Sequence, residues 1–118
     1  MSISFSVPGP QVSTNAAYRK RGRSFGLYMT PEATAWKQLI AHFAKRAMKN
    51  QPLFTRPVYV IATYYKKTLA GDVDSSGKLL LDSIQGVCFA NDSIVKVFTQ
   101  VKDHDPKAPR VEITVGEV

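Results

Sequence analysis

The chain has 118 residues, 44% hydrophobic and 21% charged, which suits one globular domain over residues 1–118 and excludes wholesale disorder. Its one cysteine, Cys88, excludes an internal disulfide framework and a cysteine-cluster zinc site, and no run of about 18 apolar residues offers a membrane span. The net charge of +7 is unevenly spread: residues 1–71 carry eleven Lys and Arg against one acid, Glu32 (+10), whereas residues 72–118 carry five against eight (−3).

In chain order, residues 3–7 (ISFSV) alternate apolar and polar as a strand, ended by Pro8-Gly9-Pro10. MSISFSVPGPQVS has neither the basic region nor the apolar run of a signal peptide, so the expected setting is soluble and cytoplasmic. From Gln11 to Tyr28 the pattern is irregular and basic around YRKRGR, and SFGLYM returns as a short strand. Thr30 as N-cap, Pro31 at the first position and Glu32 in the first turn open a helix. Trp36, Ile40, Phe43 and Ala47 form its apolar face, and Asn50 to Pro52 stops it. PVYVIATYYKK (57–67) is a central strand, apolar on both sides. A turn, TLAG, leads to a second helix beginning near Asp74, with Leu80, Ile84 and Val87 on its buried side. FANDS turns, Ile94 to Lys102 alternates as a strand, DHDPKAP turns, and RVEITV closes. This order predicts an α/β protein of the α+β type, a mixed sheet flanked by two main helices.

The basic half points to a polyanionic partner, because Lys and Arg beside phosphates displace condensed counterions. The acidic half suits a plain DNA binder poorly, since carboxylates repel phosphate unless a cation stands between them. GDVDSSGKLLLD (71–82) sharpens the contrast. It opens like a calcium-binding EF-hand loop, but the twelfth position from Asp72 is Ser83 where that loop needs Glu. Ion pairing on a helix would explain Asp74, Lys78 and Asp82 at i, i+4 and i+8, worth about 0.3–0.5 kcal/mol per pair. It leaves Asp72 crowded against Asp74 at the strand-to-helix junction. A divalent cation relieves that crowding: Mg²⁺ takes oxygen ligands, typically one or two carboxylates plus substrate phosphate, and activates water for phosphodiester hydrolysis. A lysine beside it supports charge developing on the phosphate.

D-x-D-x-x-x-K (Asp72, Asp74, Lys78), Asp82 four residues later, and Asp92 in a turn before an alternating strand resemble the RusA family of Holliday junction resolvases. SFSVPGPQVSTN, with Asn15, resembles that family's opening strand and loop; YRKRGR its basic loop, PEATAWKQLIAHFAKRAM its first helix, and PRVEITV its closing strand. The resemblance implies a homodimeric, Mg²⁺-dependent endonuclease, with Mn²⁺ as a substitute, that binds four-way DNA junctions and nicks two strands symmetrically. It implies Asp72, Asp74 and Asp92 as metal-binding catalytic acids, Lys78 as the catalytic lysine, and Asp82 as a ligand or as the partner that fixes Lys78. Three positions depart from the pattern: Ser75 stands where Asn is usual, Asn91 replaces an acid, and the basic residues before the first aspartate sit further back as Lys66 and Lys67.

Arg19, Lys20, Arg21 and Arg23, with Tyr18, are candidate phosphate contacts, joined by Lys66 and Lys67. Lys45, Arg46 and Lys49 read equally as the solvated side of a helix. His42 and His104 lack partners at metal-ligand spacing and are expected to be structural or exposed; Cys88 is expected to be a buried small hydrophobe. Two rival functions stay open on sequence grounds: a non-catalytic protein binding branched DNA, and a metal nuclease acting on other branched DNA.

Overall fold

A computed structural model describes residues 1–13, 18–20 and 27–118, with residues 18–20, 27 and 28 described by backbone alone. The elements run β1 (Ser2–Pro8), β2 (Tyr18–Lys20), β3 (Leu27–Met29), α1 (Pro31–Met48), β4 (Val58–Lys66), α2 (Gly77–Ile84), a 3₁₀ turn (Asp92–Ile94), β5 (Val95–His104) and β6 (Arg110–Glu117). A four-stranded mixed sheet has the order β1-β6-β4-β5, and β2 pairs with β3 as a separate antiparallel ribbon. The last strand therefore lies inside the sheet, antiparallel to both β1 and β4, while β4 and β5 run parallel around the α2 crossover.

Helix α1 starts as its sequence dictates. Thr30 Oγ1 accepts from the Ala33 N–H at 3.3 Å, Pro31 is the first helical residue, and Lys45 and Arg46 lie in the last turn. Its fully buried positions are Ala33, Trp36, Ile40, Ala44 and Met48; Phe43 and Ala47, expected on that face, are half-buried at its margin. Helix α2 is shorter than expected. It begins at Gly77 rather than near Asp74, because the Ser75 N–H bonds to the Asp72 carbonyl and the Gly77 N–H to the Asp74 carbonyl, closing turns first. Val87 falls beyond its end and is half-buried against the core.

Val7, Val58, Val60, Ala62, Tyr64, Val111, Ile113 and Val115 supply the sheet's share of one core, closed by Trp36, Ile40, Leu79, Leu80 and Ile84 from the helices. The opposite face of the sheet is open. Strand β5 presents its apolar parity there: Val97 is 46% exposed and Val101 43%, next to Ile61 at 38%. Phe98, which packs against the core, and the polar Gln100 and Lys102 share the helix-side parity of Val60, Ala62 and Tyr64. The alternation read from sequence is real, but parallel pairing to β4 points it away from the core.

Candidate active site

Between Lys66, the last residue of β4, and Gly77, the first of α2, the chain makes an exposed loop that carries Asp72 and Asp74. Three groups of contacts hold it. Lys102 Nζ donates to the carbonyls of Leu69 (2.8 Å) and Gly71 (2.7 Å), and Lys66 Nζ donates to that of Ala70. On the far side, Gln11 Nε2 donates to Ser76 Oγ at 3.0 Å and Ser75 Oγ at 3.3 Å, and Ser76 Oγ donates to the Val12 carbonyl at 2.7 Å. At its start, Asp105 N–H bonds the Lys66 carbonyl, and His104 Nε2 lies 3.1 Å from the Lys67 carbonyl. Gly71, at φ 90°, makes the bend into the first aspartate, a conformation that disfavours side chains.

Asp74, Lys78, Asp82 and Asp92 line one cleft of about 350 Å³, with Gly77, Leu81, Phe98 and Gln100 as the remaining walls. Asp92 opens the 3₁₀ turn, its N–H donating to Gln85 Oε1 at 2.9 Å, while Asn91 Oδ1 caps the turn by accepting from Ser93 N–H at 2.9 Å. Lys78 Nζ stands 3.6 Å from Asp82, with side chains 72% and 30% exposed. A pair so open is worth roughly 0–1 kcal/mol, so solvent competes for the lysine and a phosphate can draw it away. Beneath the cleft the buried Tyr64 hydroxyl donates to Gln100 Oε1 at 2.7 Å. Burial first, and the nearby Asp74 carboxylate second, push that hydroxyl well above the ordinary phenol range, keeping it a proton donor.

Asp72 lies elsewhere. It lines a neighbouring cavity of about 740 Å³ with Gln11, Thr30, Glu32, Lys66 and Ser75. Among the described residues, no three His, Cys, Asp or Glu side chains are grouped as a metal ion would need. Lys66 lines that cavity with Asp72 and, together with Lys67, also lines a third, smaller cleft with Pro10, Tyr65 and Pro109. Arg19 and Lys20 fall on β2. Asn15, Arg21 and Arg23 lie outside the described residues.

The sequence pattern of the endodeoxyribonuclease RusA family matches residues 8–116. The chain belongs to the RusA family. No curated protein matches it at a significant level. The match begins at the end of the opening strand and spans the loop, first helix, acid motif and closing strand that carried the resemblance, and every acid of the two cavities falls within it. As a RusA-family member the protein is a DNA endonuclease, and among the described residues no helix is long and apolar enough to cross a membrane.

Within this RusA-family fold, four side chains around the site escaped the sequence reading: Gln11, Tyr64, Gln100 and Lys102. Gln100 and Lys102 did leave a signal, being polar residues two apart on one parity of a strand otherwise rich in valine. Tyr64 reads as an ordinary core aromatic, and Gln11 as part of a loop.

Proposed function

We propose that this single RusA-like domain is a structure-selective endonuclease that resolves four-way DNA junctions, using Mg²⁺ (or Mn²⁺ in its place) and acting as a homodimer in the cytoplasm. The observation that carries the reading is the convergence of Asp74, Asp92 and Lys78, far apart or on different elements, on one cleft in a chain of this family. The donor chemistry suits the ion: Asp74 and Asp92 offer the one or two carboxylates that Mg²⁺ typically takes, and their exposure leaves room for the waters it retains. When bound, such an ion supplies Lewis-acid polarisation of the phosphate and activation of water.

The protein's own groups then have separable roles. Asp74 and Asp92 hold the ion, with Asp72 contributing from the adjacent cavity once DNA or a second subunit is present. Lys78 leaves Asp82 to stabilise charge on the phosphate being cut. Asp82 keeps the ammonium poised. Arg19, Lys20, Arg21, Arg23, Lys66 and Lys67 bind the backbone of the junction arms, setting position rather than sequence preference. The open sheet face around Ile61, Val97 and Val101 supports the homodimer: a two-fold pairing of these faces would bury uncharged side chains against their own copies. Two copies bring two clefts to one junction, as paired nicks require.

The test is cleavage of a synthetic four-way junction with Mg²⁺ by wild type and Asp74→Asn. Cutting by wild type with a loss of at least about a hundredfold in the variant is expected. If wild type leaves the junction intact, or Asp74→Asn cuts as well, the assignment is wrong. Mg²⁺-indifferent binding that strengthens on Asp-to-Asn change would favour a non-catalytic binder. Faster cutting of flaps or forks at the same salt concentration would move the substrate to other branched DNA.

A further inference from the structure

We propose that Gln100 contacts DNA in this cleft, its amide nitrogen donating to a non-bridging phosphate oxygen, and that Tyr64 is the positioning residue that keeps the nitrogen facing the strand. The inference rests on reading the cleft as the DNA-cutting site. Among the described side chains lining it, only Lys78 and Gln100 carry N–H donors; the other polar groups are the carboxylates of Asp74, Asp82 and Asp92. A phosphate entering so acidic a cleft gains from a donor that is itself uncharged and does not compete with a cation for the carboxylates.

An amide has two unlike ends, and a free one presents either to its surroundings. Here the choice is made from below. The Tyr64 hydroxyl, buried and held protonated, donates to Oε1 at 2.7 Å, so the oxygen is engaged and the nitrogen remains. Among the described residues Nε2 has no protein partner, yet it is not sealed in: the buried unpartnered polar atoms are Gln11 Oε1 and Trp36 Nε1. Gly77 provides the seat. A Cβ there would stand 2.9 Å from Gln100 Oε1 and 3.1 Å from Nε2, so the amide lies directly on the backbone at the start of α2. An amide fastened at one end and seated on a glycine is oriented before DNA arrives, which lowers the entropy lost on binding.

Gln100→Glu separates this role from a structural one. It keeps the shape and the acceptor for Tyr64 but replaces the free donor with a second carboxylate oxygen. Binding of a fluorescent four-way junction without metal, and single-turnover cutting with Mg²⁺, are measured for wild type, Gln100→Glu, Gln100→Leu and Tyr64→Phe. Gln100→Glu is expected to weaken binding about tenfold or more and to slow cutting at least as much, at an unchanged unfolding midpoint. Gln100→Leu loses less, about threefold to tenfold, having no repulsion. Tyr64→Phe lowers cutting in the wild-type background but not on top of Gln100→Leu, because the tyrosine acts through the amide. Binding and cutting by Gln100→Glu within about twofold of wild type would overturn the proposal. Should that variant fail to fold, unaltered binding by Gln100→Leu would do so instead. If wild type cuts no DNA while Gln100→Glu still weakens binding, the nuclease reading falls and the DNA contact stands; normal cutting by both has the opposite meaning.

Discussion

Replacing Gly77 by alanine sets a helix preference against a seat for a side chain. In an exposed helix the change would stabilise by up to about 1 kcal/mol, and less at a first helical residue. Gly77 is buried, however, and the new methyl would lie 2.9 Å from Gln100 Oε1 and 3.1 Å from both Nε2 and the Phe98 ring edge. The Gln100 amide is the softest of these neighbours and must move, lengthening its 2.7 Å bond to Tyr64. Losing that bond leaves the Tyr64 hydroxyl buried without a partner, which costs about 1–3 kcal/mol. Set against the helix gain, Gly77→Ala should lower stability by about 1–2 kcal/mol, or about 4–8 °C in the unfolding midpoint for a chain of this size. Urea unfolding measures it, once in the wild type and once in Tyr64→Phe. In the second background no hydroxyl is stranded, so the penalty should shrink by about 1 kcal/mol or more. A Gly77→Ala protein as stable as its parent, or an equal loss in both backgrounds, would refute the seating of Gln100 against α2.

Thr30→Ala removes the side-chain acceptor for the Ala33 N–H and should cost about 1 kcal/mol in urea unfolding. Lys49 closes α1 at φ 53°, ψ −127°, so Lys49→Gly should raise stability by about 1 kcal/mol in the same measurement; a loss would mean the lysine side chain matters more than its backbone. Ile61→Lys with Val101→Lys places charges on the open sheet face, and sedimentation should show the proposed homodimer dissociating while far-ultraviolet dichroism stays unchanged. Burial pushes the Cys88 thiol up to about 12, so native protein at pH 8 should resist thiol reagents that label the unfolded chain at once. The unfolded thiol ionises first. Its contribution is therefore complete below about pH 8.5 and is lost as pH rises toward 12, by at most about 1.4 kcal/mol per unit, and Cys88→Ala should flatten that fall in denaturation curves.

The helix α1 was legible almost to the residue because its limits are local: a threonine oxygen, a proline ring and a 3.6-residue apolar period act within one or two turns. The β4 strand was legible for a similar reason, its β-branched and aromatic run fitting a pleated surface between two partners. The start of α2 was not, since Asp74 continues the helical spacing of Lys78 and Asp82 while the backbone spends residues 72–77 in hydrogen-bonded turns anchored by Gln11 and Lys102. The acids themselves were legible as a pattern. Which cavity each lines was not: Asp72 lines the one with Gln11 and Lys66, and Asp74 the one with Asp92.

Residue order alone settled which segments would be helix and strand, which side chains could make a core, and that acids and a lysine would gather after a basic half. Those properties depend on neighbours a few positions away and on composition. Folding settled that the last strand enters the middle of the sheet, that β5 turns Val97 and Val101 outward and Gln100 and Lys102 toward the helix side, and that Tyr64 meets Gln100 across thirty-six residues. Contacts of that separation follow from strand register and crossover, which are chosen by how the whole core packs and not by any one stretch of chain.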